Sequence, residues 1–379
     1  MIFSAPRHRV VALALAALGT VGSAGLASPA SAAESHRGPA VFVQSDNVAG
    51  NTVVAYHRNA DGTLSPAGSY DTGGLGGVLS GSVVDHLASQ GSLALDRSHH
   101  TLYAVNAGSD SVTVFGVDGD RLTRRAVVAS GGAFPVSVAV HGNLVYVLNA
   151  RDGGSVQGFR RSGSGLTPIA GSHRALGLDA SAQPEFVNTP GQVAFSPDGA
   201  QLVVTTKANG SDVDVFAVTG TGSLSASPTV NPLPGAVPFA VSWDGAGHLV
   251  LAEAGTNSVA TFGVDAQGVL HPVDTAATGQ AATCWIVRSH DRFYASNAGS
   301  ADLSGYRIAH DGSLTSLGTT VTDPGTVDAT VTRDGRFLYV QAGKAGQVDA
   351  FRVAAGGSLT PLGSVTVPGA AGGEGIAAS

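Results

Sequence analysis

Two side chains could do hydrolytic chemistry if the fold brought them together: Lys207, in Thr205-Thr206-Lys207-Ala208-Asn209-Gly210, and Glu253, in Leu251-Ala252-Glu253-Ala254-Gly255. Each stands at the end of an apolar run, just before a small, turn-forming segment. A carboxylate there can act as general base on a water, and a cation can stabilise the oxyanion that develops when a carbonyl is attacked. Asn106, Asn149, Arg151, Gln192, Asn297 and His86 occupy places from which a ligand could be oriented. Each also has a plainer reading. An ion pair accounts for Lys207 and Glu253, and the asparagines and glycines of the Asn-Ala-Gly turns at 106–108 and 297–299 supply positive-φ conformations and backbone hydrogen bonds. His86, His173 and Glu185 lie in long connections and read as solvated. Cys284, beside Trp285, reads as a buried structural thiol. No nucleophile elbow and no glycine-rich phosphate loop before a helix occur. Only one clear carboxylate joins the set, so no metal or other cofactor is assigned; calcium, which takes carboxylate and amide oxygens, is the ion this donor chemistry would suit.

The elements that must position these residues follow from self-similarity. One unit runs from Gln192 to Ser225, as strand, hairpin, strand, turn, strand, turn and strand. The same grammar recurs, and each third strand carries one aromatic: Tyr56, Phe115, Phe159, Phe216, Phe262, Tyr306 and Phe351. The regular intervals are 44 to 46 residues, and two longer ones, 59 and 57, mark insertions near 71–90 and 172–189. Four short strands in about 40–50 residues make one propeller blade. Runs such as Leu144-Val145-Tyr146-Val147-Leu148 are apolar on both faces, as in a sheet sandwiched between two others. The aromatics therefore read as packing between blades. The first unit lacks an innermost strand, while Glu374–Ser379 resembles Gly91–Asp96. The expectation is an all-β, seven-bladed propeller of four-stranded antiparallel blades, with the C-terminal strand completing the first blade. Strand order puts the second-to-third turns on one face with the links between blades. Both insertions are such links, so both are expected to enlarge that face around the mouth of the central channel.

Composition bounds the class. Arg7, His8 and Arg9 precede a short apolar run, Val10 to Leu18, and a small-residue stretch ending Ala30-Ser31-Ala32, the pattern of a secretory signal. Residues 1–32 are read as that signal and 33–379 as a single domain, secreted and without a membrane span. Without Arg7 and Arg9, 18 basic residues face 27 acidic ones, a net charge of −9. An acidic chain with no Lys/Arg cluster lacks the footprint of a nucleic-acid binder. One cysteine cannot form an internal disulfide, so the core alone must hold this fold. With 53 glycines and 12% charged residues, the chain suits tight turns between short buried strands. It is expected to be a monomer.

The Phe195-Ser196-Pro197-Asp198-Gly199 hairpin, the Asn-x-Gly turns, the aromatic third strands and the Asp311-Gly312-Ser313-Leu314-Thr315 turn resemble the seven-bladed propeller lactonase family. That family includes 6-phosphogluconolactonase and fungal carboxymuconate-lactonizing propellers, and the resemblance spans the mature chain. It implies a pocket of His, Arg and Glu residues. The glutamate is kept as Glu253. A Pro-Arg-His corresponds to Val237-Pro238-Phe239, a histidine to Gln192 and an Asn-Arg-Gly turn to Asn297-Ala298-Gly299, so those cations are missing. Lys207 and Arg151 are the nearest substitutes. The resemblance implies cofactor-free lactone hydrolysis at the channel mouth, with Glu253 as base. The alternative is a non-catalytic extracellular binding or scaffolding propeller, whose partner is a small molecule at the channel mouth or an extracellular partner.

Overall fold

Units that are apolar on both faces can bury them only by stacking on one another. The computed structural model, which describes residues 38–163 and 165–379, has seven antiparallel sheets of four strands, the third extended by the two-residue strand Arg174–Ala175. The residues read as a signal lie outside those described. The innermost strands neighbour one another around a closed ring. Blade 1 runs Ile376–Ala378, Ala40–Gln44, Thr52–Arg58, Leu64–Asp71 from axis to rim, so the expected closing strand is present. Its register pairs Val41 with Ala378 and Val43 with Ile376.

All seven third-strand aromatics are buried, from Tyr56 to Phe351. They stitch neighbouring blades: Phe115 of blade 2 packs with Phe42 and Ala55 of blade 1, while Tyr56 of blade 1 packs with Tyr339 of blade 7. A second set of aromatics, on the second strands, latches blades 3, 6 and 7 to the outer turn of the next blade. Tyr146 Oη donates to Gly222 O at 2.7 Å, Tyr294 to Gly357 O at 2.7 Å and Tyr339 to Gly62 O at 2.8 Å. A buried tyrosine hydroxyl needs a partner, and here that need fixes the angle between blades.

The Asn-Ala-Gly turns work differently from the sequence expectation. Positive φ falls on a later residue, Asp110 at 49° and Ala301 at 56°, and not on Gly108 or Gly299. Gly108 is needed for closeness: a Cβ there would lie 2.2 Å from Gly76 O of the adjoining link. The asparagines are clamps. Asn106 Nδ2 donates to Ser111 and Thr113 while its Oδ1 accepts from Asn51; Asn297 Nδ2 donates to Asp302 and Ser304 while its Oδ1 accepts from Thr283.

Candidate functional site

The first insertion, between Asp71 and Leu93, does not widen the channel mouth; it crosses it. Leu79, Leu87 and Ala88 join the core of blades 2 to 4, and Val84 packs into that of blades 5 and 6. The link is bonded on all sides. Ser89 Oγ donates to Val136 O of blade 3 at 2.8 Å, Gln90 N donates to Gly191 O before blade 4, Trp285 Nε1 of blade 6 donates to Ser89 O at 2.5 Å, and His86 N donates to Gly372 O. Leu79, Leu87 and Ala88 gain more by burial over the axis than they would in solvent at a rim, so the mouth expected to be enlarged is filled.

Lys207 lies beneath this plug, almost fully buried and in the left-handed region at φ 54°. Its Nζ donates to Ala88 O and Phe186 O, both at 2.6 Å, and to Thr189 Oγ1 at 3.1 Å. An ammonium has three hydrogens, so all are used. Ala88 belongs to the first insertion, Phe186 and Thr189 to the second, and Lys207 to blade 4: one side chain clamps three segments. The Phe239 ring, 5.3 Å away, covers it, itself packed on Trp285 at 4.9 Å. Burial pulls the Lys207 pKa down, opposed by Asp85 and Glu374. Burial pushes Asp85 and Glu374 up, and it raises Asp46 and Asp328, beside the same axis, to about 7. Burial and the Asp85 charge also push the Cys284 thiol up, away from the thiolate.

Lys207 and Glu253 share no hydrogen bond or ion pair among the described residues. Glu253 Oε2 accepts from Ser258 Oγ at 2.6 Å and Thr256 Oγ1 at 3.2 Å, within its own blade's turn. Gln192 Oε1 accepts from Val241 N at 2.6 Å, joining blades 4 and 5. Asn149 is buried with Oδ1 unpaired, and His86 is half-buried with Nδ1 unpaired.

Of the expected site residues, Arg151 lines an open cleft. The cleft, of about 170 Å³, lies between blades 3 and 4 on the link face, and Arg151, Asp152, Asp179, Glu185, Thr189 and Asn209 contribute to its walls. The second insertion builds one wall and is pinned near its middle: Leu178 N donates to Gly153 O at 2.9 Å, and Asn209 Nδ2 donates to Asp179 O at 2.9 Å. Arg151 is oriented on three sides. Its guanidinium lies 4.2 Å from the Phe134 ring centroid, Nε donates to Glu185 Oε1 at 2.7 Å, and Nη2 donates to Glu185 Oε2 and Val78 O, both at 3.3 Å. The ion pair with Arg151 holds Glu185 below the usual carboxylate range. Nη1 donates no hydrogen bond to the protein, and the exposed Asp152 carboxylate accepts none from it, among the described residues. Asp152, Asp179 and Asn209 escaped the sequence reading, although one signal was present: Asn149-Ala150-Arg151-Asp152-Gly153-Gly154 departs from the Asn-Ala-Gly turns of the other blades. No group of three or more His, Cys, Asp or Glu able to hold a metal ion occurs among the described residues. No helix among them is long and apolar enough to cross a membrane.

The family model for the seven-bladed β-propeller lactonases matches residues 49–173 and 257–374. This chain belongs to that lactonase family. Solved structures share the lactonase fold at low identity. A Bacteroides fragilis protein provisionally described as a 6-phosphogluconolactonase is 17% identical with a TM-score of 0.72, covering 90% of this chain and 98% of its own. A protein from Lactobacillus plantarum is 20% identical at 0.72, covering 90% and 99%. The periplasmic gluconolactonase of Pseudomonas aeruginosa is 17% identical at 0.69, covering 90% and 98%. No protein of curated function matches the sequence. The stretch between the two matched segments, 174–256, contains most of the second insertion, Gln192, Lys207 and Glu253, while His86, Asn106, Asn149, Arg151 and Asn297 lie within the matched segments.

Proposed function

We propose that this chain is an exported lactonase that opens a small lactone ring in the Arg151 cleft. The observation that carries the reading is a guanidinium fixed in direction, by Phe134 and Glu185, with one nitrogen left free in a cleft that the unbonded Asp152 carboxylate also lines. Asp152 takes a proton from a water as that water attacks the ring carbonyl. Arg151 Nη1 donates to the oxyanion that forms, and collapse of the tetrahedral adduct expels the ring oxygen as an alkoxide, which takes up the proton to give the hydroxy acid. Glu185 is the positioning residue for Arg151. A cleft of about 170 Å³ is small beside the roughly 300–1,000 Å³ of drug-sized sites, which favours a single small ring. Export is supported by the basic, apolar and small-residue sequence of 1–32, and by the periplasmic gluconolactonase among the related folds.

The test is a pH-indicator assay of the mature protein on five- and six-membered lactones. Arg151→Gln should lower kcat/KM by about 10²–10³, the usual effect of losing an oxyanion donor. Asp152→Asn should lower it by about 10²–10⁴, with Glu253→Gln near wild type. Loss of activity in Glu253→Gln with Asp152→Asn unaffected would move the site to blade 5. A second reading, ligand binding without turnover, is favoured by one observation: all three Lys207 donors and one Glu253 carboxylate oxygen are engaged by the protein itself. Binding of a lactone with no ring opening would select it.

A further inference from the structure

On the opposite face, the hairpins joining first and second strands of blades 2, 6 and 7 meet around a cleft of about 320 Å³. Arg97, Arg288 and Arg333 line it, with His290, Ser289 and Thr332, and no carboxylate does. None of the three arginines belongs to an ion pair among the described residues, in a chain with more acidic than basic residues. Their forks are partly anchored by backbone: Arg97 Nη2 donates to Ala378 O at 2.5 Å, and Arg288 donates through Nε to His290 O at 2.6 Å and through Nη1 to Trp243 O at 2.9 Å. Arg97 Nη1, Arg288 Nη2 and the whole fork of Arg333 donate no hydrogen bond to the protein among the described residues. The hydroxyls are engaged elsewhere, Thr332 donating to Asp334 and Ser289 to Gly335 O. Burial and the neighbouring Arg333 charge both weaken the hold of Arg97 on its proton, so the two cations lie close enough to repel. Like charges that converge without an acid between them are stabilised by an anion.

We propose that this cleft binds a dianionic tetrahedral oxyanion, a phosphate or sulfate group, either as the free ion or as the ester of a small molecule. Guanidinium forks match the oxygens of such groups in pairs, and three positive charges favour a dianion over a monocarboxylate, which would neutralise one of them. The site is carried by hairpins other than those of the Arg151 cleft and lies on the other face, so it stands or falls independently of lactone hydrolysis.

The experiment is isothermal titration of the mature protein with sodium phosphate, sodium sulfate, glycerol 3-phosphate and sodium acetate at fixed ionic strength, alongside melting curves. A dianion should bind at one site, acetate at least tenfold more weakly. Arg333→Gln, which removes no protein hydrogen bond, should weaken dianion binding at least tenfold, while Arg151→Gln leaves it unchanged. Without the dianion and at low salt, Arg333→Gln should melt no lower than wild type, because a repulsion is relieved. Binding of glycerol 3-phosphate in preference to both inorganic ions identifies an ester as the ligand; the reverse identifies the free ion. Heats and melting temperatures that match those in chloride, or unchanged binding by Arg333→Gln, would overturn the proposal.

Discussion

Replacing Lys207 by methionine separates a clamp from a catalytic cation. Methionine keeps most of the stem but no donor, so Ala88 O, Phe186 O and Thr189 Oγ1 lose their bonds while still buried. An acceptor left unpaired costs about 1–3 kcal/mol, and removing one partner of a buried charged network typically costs about 3–5 kcal/mol, which we take as the net. With an unfolding entropy of about 2 cal/mol/K per residue, a ring of this size changes Tm by roughly 1.4 °C per kcal/mol, so the expected loss is about 4–7 °C by calorimetry. At a temperature where the variant is folded, lactone turnover should fall far less than in Arg151→Gln. A melt at or above that of wild type would refute the clamp. So would turnover abolished in a variant that melts normally, which would restore Lys207 as a catalytic residue.

Stability should also depend on pH in a direction set by the buried carboxylates. Asp46 and Asp328, raised to about 7 by burial, hold in the folded state protons that the unfolded chain releases near pH 4. Their contribution is complete below about pH 4 and is lost as pH rises through about 7, by at most roughly 1.4 kcal/mol per pH unit per group; Asp328→Asn should flatten Tm against pH over that window. Gly343→Ala should loosen the plug, because its Cβ would lie 2.1 Å from Val84 O; limited proteolysis should then cut within 72–91, where wild type resists. Deleting 373–379 removes the closing strand and Glu374 together, and should lower the melting temperature sharply in calorimetry.

The parts of the fold legible in the sequence were those fixed by local spacing. Third-strand aromatics recur at 44 to 46 residues wherever no insertion intervenes, because every blade meets the same neighbour, and the similarity of Glu374–Ser379 to Gly91–Asp96 is strand grammar repeated at the other end of the chain. The courses of the insertions were not legible, since nothing local tells a link to cross an axis; only the depth at which Leu79 and Leu87 are buried reveals it. Lys207 stood out in the sequence, but the two carbonyls and the hydroxyl that hold it come from segments 18 to 119 residues away. The arginines at 97, 288 and 333 escaped a search for basic clusters because they converge only when blades 2, 6 and 7 close the ring.

That closure has a kinetic side. Ala40 and Ser379, 339 residues apart, share a hydrogen bond, and Ala40–Gln44 lacks its inner neighbour until the last strand arrives. Loop-closure entropy grows only with the logarithm of length, so the separation slows assembly more than it weakens the finished ring. Until then the groove accepts a matching strand from any source. In concentrated refolding, the 376–378 strand of a second copy competes for the place, and exchange of that one element links two propellers into a swapped dimer.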